Sequence, residues 1–183
     1  MRKNGYTLIE LLVALAVFTI VIAAPTGFFV SSIKGQQKAL ASQELYDNVS
    51  YTLEYISRAL RMAKKDLTGS CITQNMNYEF TGAENGIKFK NYNEECQEFY
   101  WDTTDNLLKE TSEKGTGIPL TASNIEVVSF DIGGQDTWSQ EDTYQPKVTL
   151  LLEIKGNRGT LPELQPTMKI QTSVSQRNLD IRY

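Results

Sequence analysis

The residues whose types and spacing could do chemistry lie at the start of the chain. Gly5 precedes an apolar run, and Glu10 is the single charged residue between Leu8 and Val30. Placing an ionised carboxylate in a membrane segment costs about 2 to 3 kcal/mol even on lenient insertion scales. An acid retained in such a place is a candidate functional group, so the first question is what could neutralise Glu10.

A cut after Gly5 would supply a partner for Glu10. It would create a new amino group at Tyr6, four residues before Glu10 and on the same helical face. That amine, or the amine of a neighbouring subunit, could neutralise the carboxylate. Glycine suits a cleavage site because a protease holds the backbone extended and close, and no side chain obstructs it. The alternative interpretation is that Glu10 lies near the lipid headgroups, where the cost is small.

The order of segments differs from that of a secretory signal peptide. A signal peptide has a basic start, an apolar stretch of about 7 to 15 residues and a small-residue cleavage site behind that stretch. Here the leader is the short basic segment 1–5, the apolar run is long enough to span a membrane, and the glycine lies in front of it. Cleavage would therefore leave the hydrophobic helix on the mature protein.

The composition excludes several kinds of active site. The chain of 183 residues contains no histidine, which excludes Ser/His/Asp and Cys/His nucleophiles and histidine-ligated metals. No other catalytic constellation is visible, so we expect neither an enzyme nor a cofactor. The net charge of −4 argues against nonspecific attraction to nucleic acid, and no nucleic-acid partner is predicted.

The two cysteines, Cys71 and Cys96, have two interpretations. They are too far apart for a CxxC redox motif and too few for a four-ligand zinc site. In an exported chain they would form a disulfide, which stabilises by about 3 kcal/mol in the chain-entropy model. In a reducing compartment they would remain two unpaired thiols.

The segment from Gly5 to Leu15, Gly-Tyr-Thr-Leu-Ile-Glu-Leu-Leu-Val-Ala-Leu, closely resembles the prepilin processing site. Type IV pilins, minor pilins and the pseudopilins of type II secretion and competence systems share that site. The resemblance implies that a membrane aspartic peptidase cleaves between Gly5 and Tyr6 and methylates the Tyr6 amine. It also implies that Glu10 pairs with the N-terminus of a neighbouring subunit. Tyr6 stands where phenylalanine is commonest, and Pro25 falls slightly earlier than the family's helix-kinking proline.

The same resemblance implies where the chain acts and with which partners. Those partners would be the prepilin peptidase, other pilins or pseudopilins, an inner-membrane assembly platform and the membrane. Because the peptidase works at the cytoplasmic face, the N-terminus is expected in the cytoplasm before cleavage. The C-terminal part is expected beyond the cytoplasmic membrane, and later in an extracellular or periplasmic filament.

Behind the leader, the pattern predicts an α+β protein. A hydrophobic transmembrane or filament-core helix is expected over 6–33, with an amphipathic continuation over 34–68 and weak points at Gly27 and Gly35. Apolar residues spaced by three and four define one face of the continuation. They are Leu45, Val49, Leu53, Ile56, Leu60, Ala63 and Leu67. We expect 69–183 to form a β-rich head, with an antiparallel sheet packed on the C-terminal half of the helix.

Alternating apolar residues predict the strands of that head. They are Ile87 and Phe89; Val128, Phe130 and Ile132; Val148, Leu150, Leu152 and Ile154; and Met168, Ile170 and Val174. Residues 99–101 and 107–108 flank a polar stretch, 102–106, which predicts a hairpin.

A polar loop over 133–145 carries the remaining candidates. Asp136, Glu141 and Asp142 are weak candidates for calcium ligands, but their spacing fits no EF-hand and solvated carboxylates are the alternative. Trp138 and Tyr144 could form a partner-binding patch, or they could be buried over the sheet.

We interpret the chain as a structural filament subunit. The segment 45–65 and the last strands look more like the larger minor pilins and pseudopilins than like compact major pilins. The alternatives are a major pilin, or a membrane-anchored binding module whose head recognises DNA, a surface or a secreted substrate.

Overall fold

The computed structural model describes residues 5–82, 85–112, 117–139, 144–156 and 161–177. The chain divides into two compact units, Met1–Leu40 and Ala41–Tyr183. Residues 1–4 of the predicted leader lie outside the described residues.

One long α-helix, α1, covers Leu8–Arg61 and contributes to both units. It begins after Thr7, whose Oγ1 accepts the Glu10 backbone N–H at 3.4 Å, as an N-cap hydroxyl does. The helix continues through Pro25 although the ring removes one helical hydrogen bond. Within the first unit its large apolar side chains are exposed, and α1 is long and apolar enough to cross a membrane.

In the second unit, α1 buries the predicted apolar face. The buried members are Leu45, Val49, Ile56, Leu60 and Ala63, while Leu53 is partly buried. Thr52 joins this face because its hydroxyl is satisfied, donating to the carbonyls of Asn48 at 2.9 Å and Leu120 at 3.1 Å. Leu67 was wrongly assigned to the face, since 62% of it is exposed.

Leu67 is exposed because α1 ends at Arg61 instead of residue 68. Groups from distant parts of the chain take the carbonyls of its last turn. The Tyr78 hydroxyl donates to Leu60 O at 2.7 Å, and the Arg177 N–H donates to Arg61 O at 2.7 Å. Lys64 N–H then donates to Lys90 O at 2.9 Å, so the chain leaves the helix to join the sheet.

The strands form two antiparallel sheets within the described residues, where one was expected. The first sheet has the order β1-β2-β3-β4-β5 and the second has the order β6-β7-β8. Their bounds are β1 Glu79–Thr81, β2 Gly86–Lys90, β3 Cys96–Asp102, β4 Leu107–Ser112, β5 Ile118–Pro119, β6 Glu126–Gly133, β7 Lys147–Lys155 and β8 Thr167–Ser175. The predicted hairpin is β3–β4, with Asn106 at a φ of 59° in its turn. The fold class is therefore α+β, with the helix packed on the sheets.

The inward-facing residues of β7 are those predicted, whereas in β6 the prediction is confirmed for Phe130 and Ile132 and is wrong for Val128. Val148, Leu150, Leu152 and Ile154 are buried. In β6, Val127 and Phe130 are buried whereas 44% of Val128 is exposed. A register shift between Val127 and Ser129 inserts an extra residue, and the strict alternation that placed Val128 inside fails there.

Candidate functional site

The segment around Gly5 is open to an enzyme. An added Cβ at Gly5 would meet no atom within 4 Å, and Tyr6 is 85% exposed. Gly5 and Tyr6 precede the helix, so their backbone is not held in helical hydrogen bonds. The Gly5–Tyr6 peptide bond is therefore accessible in this structure.

Glu10 lies in the first turn of α1, where its negative charge complements the positive end of the helix dipole. Tyr6 and Glu10 line one exposed groove of the helix together with Leu11, Ala14 and Leu15. The structure thus places Tyr6 and Glu10 on one face, next to an apolar surface. A neighbouring amine at that face would find a carboxylate beside residues that exclude water.

Comparison with known proteins gives two matches, and one of them covers this segment. Residues 1–24 match the prokaryotic N-terminal methylation motif. The pilin-like protein PilA3 of Thermus thermophilus is 34% identical over 61 residues, which cover 33% of this chain and 26% of the relative. No solved structure matches the chain.

The motif and the relative support a type IV pilin-like protein, the class that the resemblance predicted. The apolar helix that carries the motif is consistent with membrane anchoring. The alignment covers about a quarter of the relative's length, so it describes a part of that protein.

A heavily hydrogen-bonded carboxylate of the second unit, that of Asp66, is fully buried and was not expected from the sequence. Its Oδ1 accepts the N–H groups of Thr68 at 3.1 Å and Gly69 at 3.0 Å. Its Oδ2 accepts those of Cys71 at 2.6 Å and Ile72 at 3.1 Å. Burial alone would raise the pKa of Asp66, but these hydrogen bonds outweigh it and hold the pKa well below its usual range.

A local signal for this turn was present in the sequence. Asp66 precedes Thr68, Gly69 and Ser70, and an aspartate ahead of such residues often accepts the backbone N–H two residues on. Gly69 has a φ of 71°, which glycine adopts without strain. The additional bonds to Cys71 and Ile72 are less readable from the sequence, because they depend on how the loop closes.

Cys71 and Cys96 are joined by a disulfide, with their Cα atoms 5.4 Å apart. The bond links the loop around Asp66 to the first residue of β3. Asp66 and the disulfide therefore hold the same loop, one by hydrogen bonds and the other covalently. Both stabilise the fold of the second unit.

The candidates in the loop over 133–145 are separated by the structure. Asp136 is an exposed residue of the short 3₁₀ helix Gln135–Thr137, whereas Glu141 and Asp142 lie outside the described residues. Among the described residues, no group of three potential ligands could hold a metal ion. Trp138 is buried and its Nε1 donates to Lys147 O at 2.8 Å, while 68% of Tyr144 is exposed.

Proposed function

We propose that this chain is a minor pilin or pseudopilin, a subunit of a type IV pilus-like or type II secretion-like filament. Prepilin peptidase cleaves between Gly5 and Tyr6 and methylates the new amine. The apolar helix stores the subunit in the membrane and then transfers into the filament core. The observation that carries the proposal is the methylation motif on a helix whose large apolar side chains are exposed in the first unit.

The exposed apolar part of α1 supports this mechanism because its side chains must be removed from water by another molecule. Apolar surface is unfavourable in water, so the first part of α1 requires either lipid or other protein around it. A filament core of neighbouring helices would supply the second environment after lipid supplied the first. The assembly platform of the inner membrane would carry out the transfer.

The position of Glu10 supports a pairing with the Tyr6 amine of a neighbouring subunit. Both residues line one groove at the start of α1, beside apolar side chains. In a packed core of helices, an unpaired buried carboxylate is unfavourable. A neighbouring subunit is therefore favoured at the axial position where its Tyr6 amine reaches Glu10, and disfavoured at positions where it does not. The pairing would set the axial register of subunits.

The disulfide supports an extracytoplasmic location for the second unit. Disulfides persist in oxidising compartments and are rare in the cytoplasm. If the leader lies in the cytoplasm, one membrane-spanning helix, the one that the described residues contain, would bring residues from Ala41 onward to the other side of the membrane. A low abundance of the chain in sheared filaments would agree with a minor subunit, and a high abundance would show a major pilin.

Substitution of Gly5 tests the processing step. In Gly5→Val, we expect the leader to remain on the chain, because the valine side chain obstructs the peptidase while nothing in the fold opposes it. The matched control is Gly27→Val, since an added Cβ there also meets no atom within 4 Å and the residue lies outside the motif. Mass spectrometry of the N-terminal peptide measures cleavage. Normal removal of the leader in Gly5→Val would refute the assigned cleavage site.

Substitution of Glu10 tests the assembly step. Glu10→Gln keeps the size of the side chain and removes its charge, so we expect normal processing and about tenfold less incorporation into filaments, the loss of one charge-assisted bond. The matched control is Glu54→Gln, an exposed acid on the same helix. Immunoblots of sheared filaments and membranes measure the distribution. Unaltered incorporation of Glu10→Gln would contradict the pairing.

A further inference from the structure

A groove in the second unit lies between the last turns of α1, the loop 91–95 that joins β2 to β3, and strands β3 and β4. Its volume is about 400 Å³. Sites for small molecules commonly occupy about 300 to 1,000 Å³, so one ring of a ligand with its substituents fits here. The filament proposal above does not use this groove.

Glu110, which lines the groove, is held by hydrogen bonds to both of its carboxylate oxygens. Glu110 Oε2 accepts the Tyr55 hydroxyl at 2.8 Å, and Glu110 Oε1 accepts Gln97 Nε2 at 2.7 Å. Gln97 is only 8% exposed, so this support is part of the interior. Burial and the adjacent Glu110 raise the pKa of Tyr55 to about 12, which keeps its hydroxyl a donor. Each carboxylate oxygen retains capacity to accept a further hydrogen bond from a ligand.

The loop 91–95, which also lines the groove, is held by hydrogen bonds of its own. Asn91 Oδ1 accepts the N–H groups of Asn93 at 2.9 Å and Glu95 at 3.0 Å, which fixes the loop. Lys64 Nζ contacts Glu94 Oε1 at 3.2 Å, which links the loop to the segment that follows α1 in the chain. Glu94 has a φ of 71°, a conformation that a glutamate adopts only when its surroundings impose it. A preformed loop reduces the entropy lost on binding.

Both aromatic and polar groups line the groove. Tyr55, Met62 and Tyr92 supply apolar faces, and 59% of Tyr92 is exposed. Asn93 supplies both donors and acceptors, and Glu95 supplies acceptors. Tyrosine is well suited to such sites because its ring is apolar and its tip is polar. The groove therefore fits a ligand with apolar C–H faces and hydroxyl groups at its edges.

The charges of the groove argue against an anionic ligand. Among the described residues that line the groove, Arg58 is the arginine, and its guanidinium is paired with Glu54 at 3.0 Å. Two carboxylates, those of Glu95 and Glu110, also line the groove. A phosphate or acidic peptide would meet more negative than positive charge. Hydroxyl groups suit both the carboxylates, to which they donate, and the amides, from which they accept.

We propose that this groove is a saccharide-binding site. A sugar ring stacks its C–H face on Tyr92 and directs hydroxyl groups to Glu110 and Glu95. The site is a property of the unassembled chain and does not depend on processing or on filament formation.

The test uses the full chain in a zwitterionic detergent, because detergents with sugar headgroups would compete for the groove. The probes are glucose, galactose, N-acetylglucosamine and its trisaccharide, at up to about 10 mM, well above the millimolar Kd of a weak site. Saturation-transfer NMR detects binding and a titration gives Kd. The variants are Tyr92→Ala and Glu95→Ala, both at exposed positions, with Tyr46→Ala as control because Tyr46 is as exposed as Tyr92, at 59%.

We expect at least one probe to bind, and each groove variant to weaken binding about tenfold, which corresponds to about 1.4 kcal/mol. Tyr46→Ala should bind as the unmodified chain does. Thermal unfolding checks that the variants fold. The proposal is overturned if no probe binds, if both groove variants bind unchanged, or if Tyr46→Ala weakens binding to the same extent.

Discussion

Replacement of Asp66 by asparagine removes a charge from a buried carboxylate without changing the size of the side chain. The asparagine would keep one oxygen, which can still accept the N–H groups of Thr68 and Gly69. Its amide nitrogen would stand where Oδ2 accepts the N–H groups of Cys71 and Ile72. The N–H groups of Cys71 and Ile72 would then face the NH₂ group of the asparagine, which is itself a donor, and both would lose their acceptor.

The expected loss of stability follows from those two donors. A buried N–H that loses its partner costs about 1 to 3 kcal/mol, so two such groups give about 2 to 6 kcal/mol. A domain is stable by only about 5 to 15 kcal/mol in total. Asp66→Asn should therefore remove a large part of the stability of the second unit, although no side-chain volume is lost.

The pH dependence gives an independent signature of the same carboxylate. The pKa of Asp66 in the folded chain lies well below the ordinary value of 3.8, so the unfolded chain takes up the proton first as pH falls. The contribution of Asp66 is present in full above about pH 5 and is lost progressively as pH falls toward the folded pKa. Asp66→Asn has no such proton to take up, so its stability should depend less on pH.

Urea unfolding of the full chain in detergent, followed by tryptophan fluorescence, measures both effects because Trp138 is buried in the second unit. The measurement is made at pH 7 and pH 3 for the unmodified chain, Asp66→Asn and the control Asp47→Asn, an exposed acid of α1. The reasoning is refuted if Asp66→Asn loses less than about 1 kcal/mol at pH 7, the lower limit for even one unpaired N–H. The reasoning is also refuted if the unmodified chain and Asp66→Asn lose the same free energy of unfolding between pH 7 and pH 3.

Two further predictions concern the same unit. Tyr78→Phe should lower its free energy of unfolding by about 0.5 to 1.5 kcal/mol, because Leu60 O loses the hydroxyl at 2.7 Å and keeps only the Ala63 N–H at 3.2 Å; in urea unfolding, a change within error would show that this hydroxyl does not stabilise the end of the helix. The double substitution Cys71→Ser and Cys96→Ser should lower it by about 3 kcal/mol, and added reductant should destabilise the unmodified chain but not this variant. Equal sensitivity of both to reductant would contradict a stabilising disulfide.

The features that the sequence predicted best depend on periodicity. Leu45, Val49, Ile56 and Leu60 are buried because a helix brings residues three and four apart onto one face, whatever lies opposite. The alternation in β7 succeeded for the same reason, since successive side chains of a strand point to opposite sides. Such patterns need no knowledge of distant contacts.

The features that were missed depend on contacts between distant parts of the chain. Where the helix ends at Arg61, Tyr78 and Arg177 donate to carbonyls of its last turn, and neither contact is visible around position 61 in the sequence. The register shift in β6 reversed the side of Val128 for a similar reason, since it is defined against β7. The division of the strands into two sheets likewise follows from pairing and not from pattern.

The methylation motif at the N-terminus could be recognised from the sequence because its information is local. Gly5, Tyr6 and Glu10 lie within six residues, and the helix begins only at Leu8, so Tyr6 reaches Glu10 from the segment ahead of the helix and not from the helical face that the spacing suggested. The groove beside Tyr92 was not predictable, because its walls come from α1, the loop 91–95 and two strands. Only the fold brings Tyr55, Gln97 and Glu110 together.

The mass of the N-terminal peptide of the chain, isolated from its native envelope, tests the central claim most directly. We predict a mature chain that begins at Tyr6, carries one methyl group on its amine and retains the apolar helix behind it. A chain that still begins with residues 1–5, or one cut behind the apolar run, would contradict the account of a processed filament subunit.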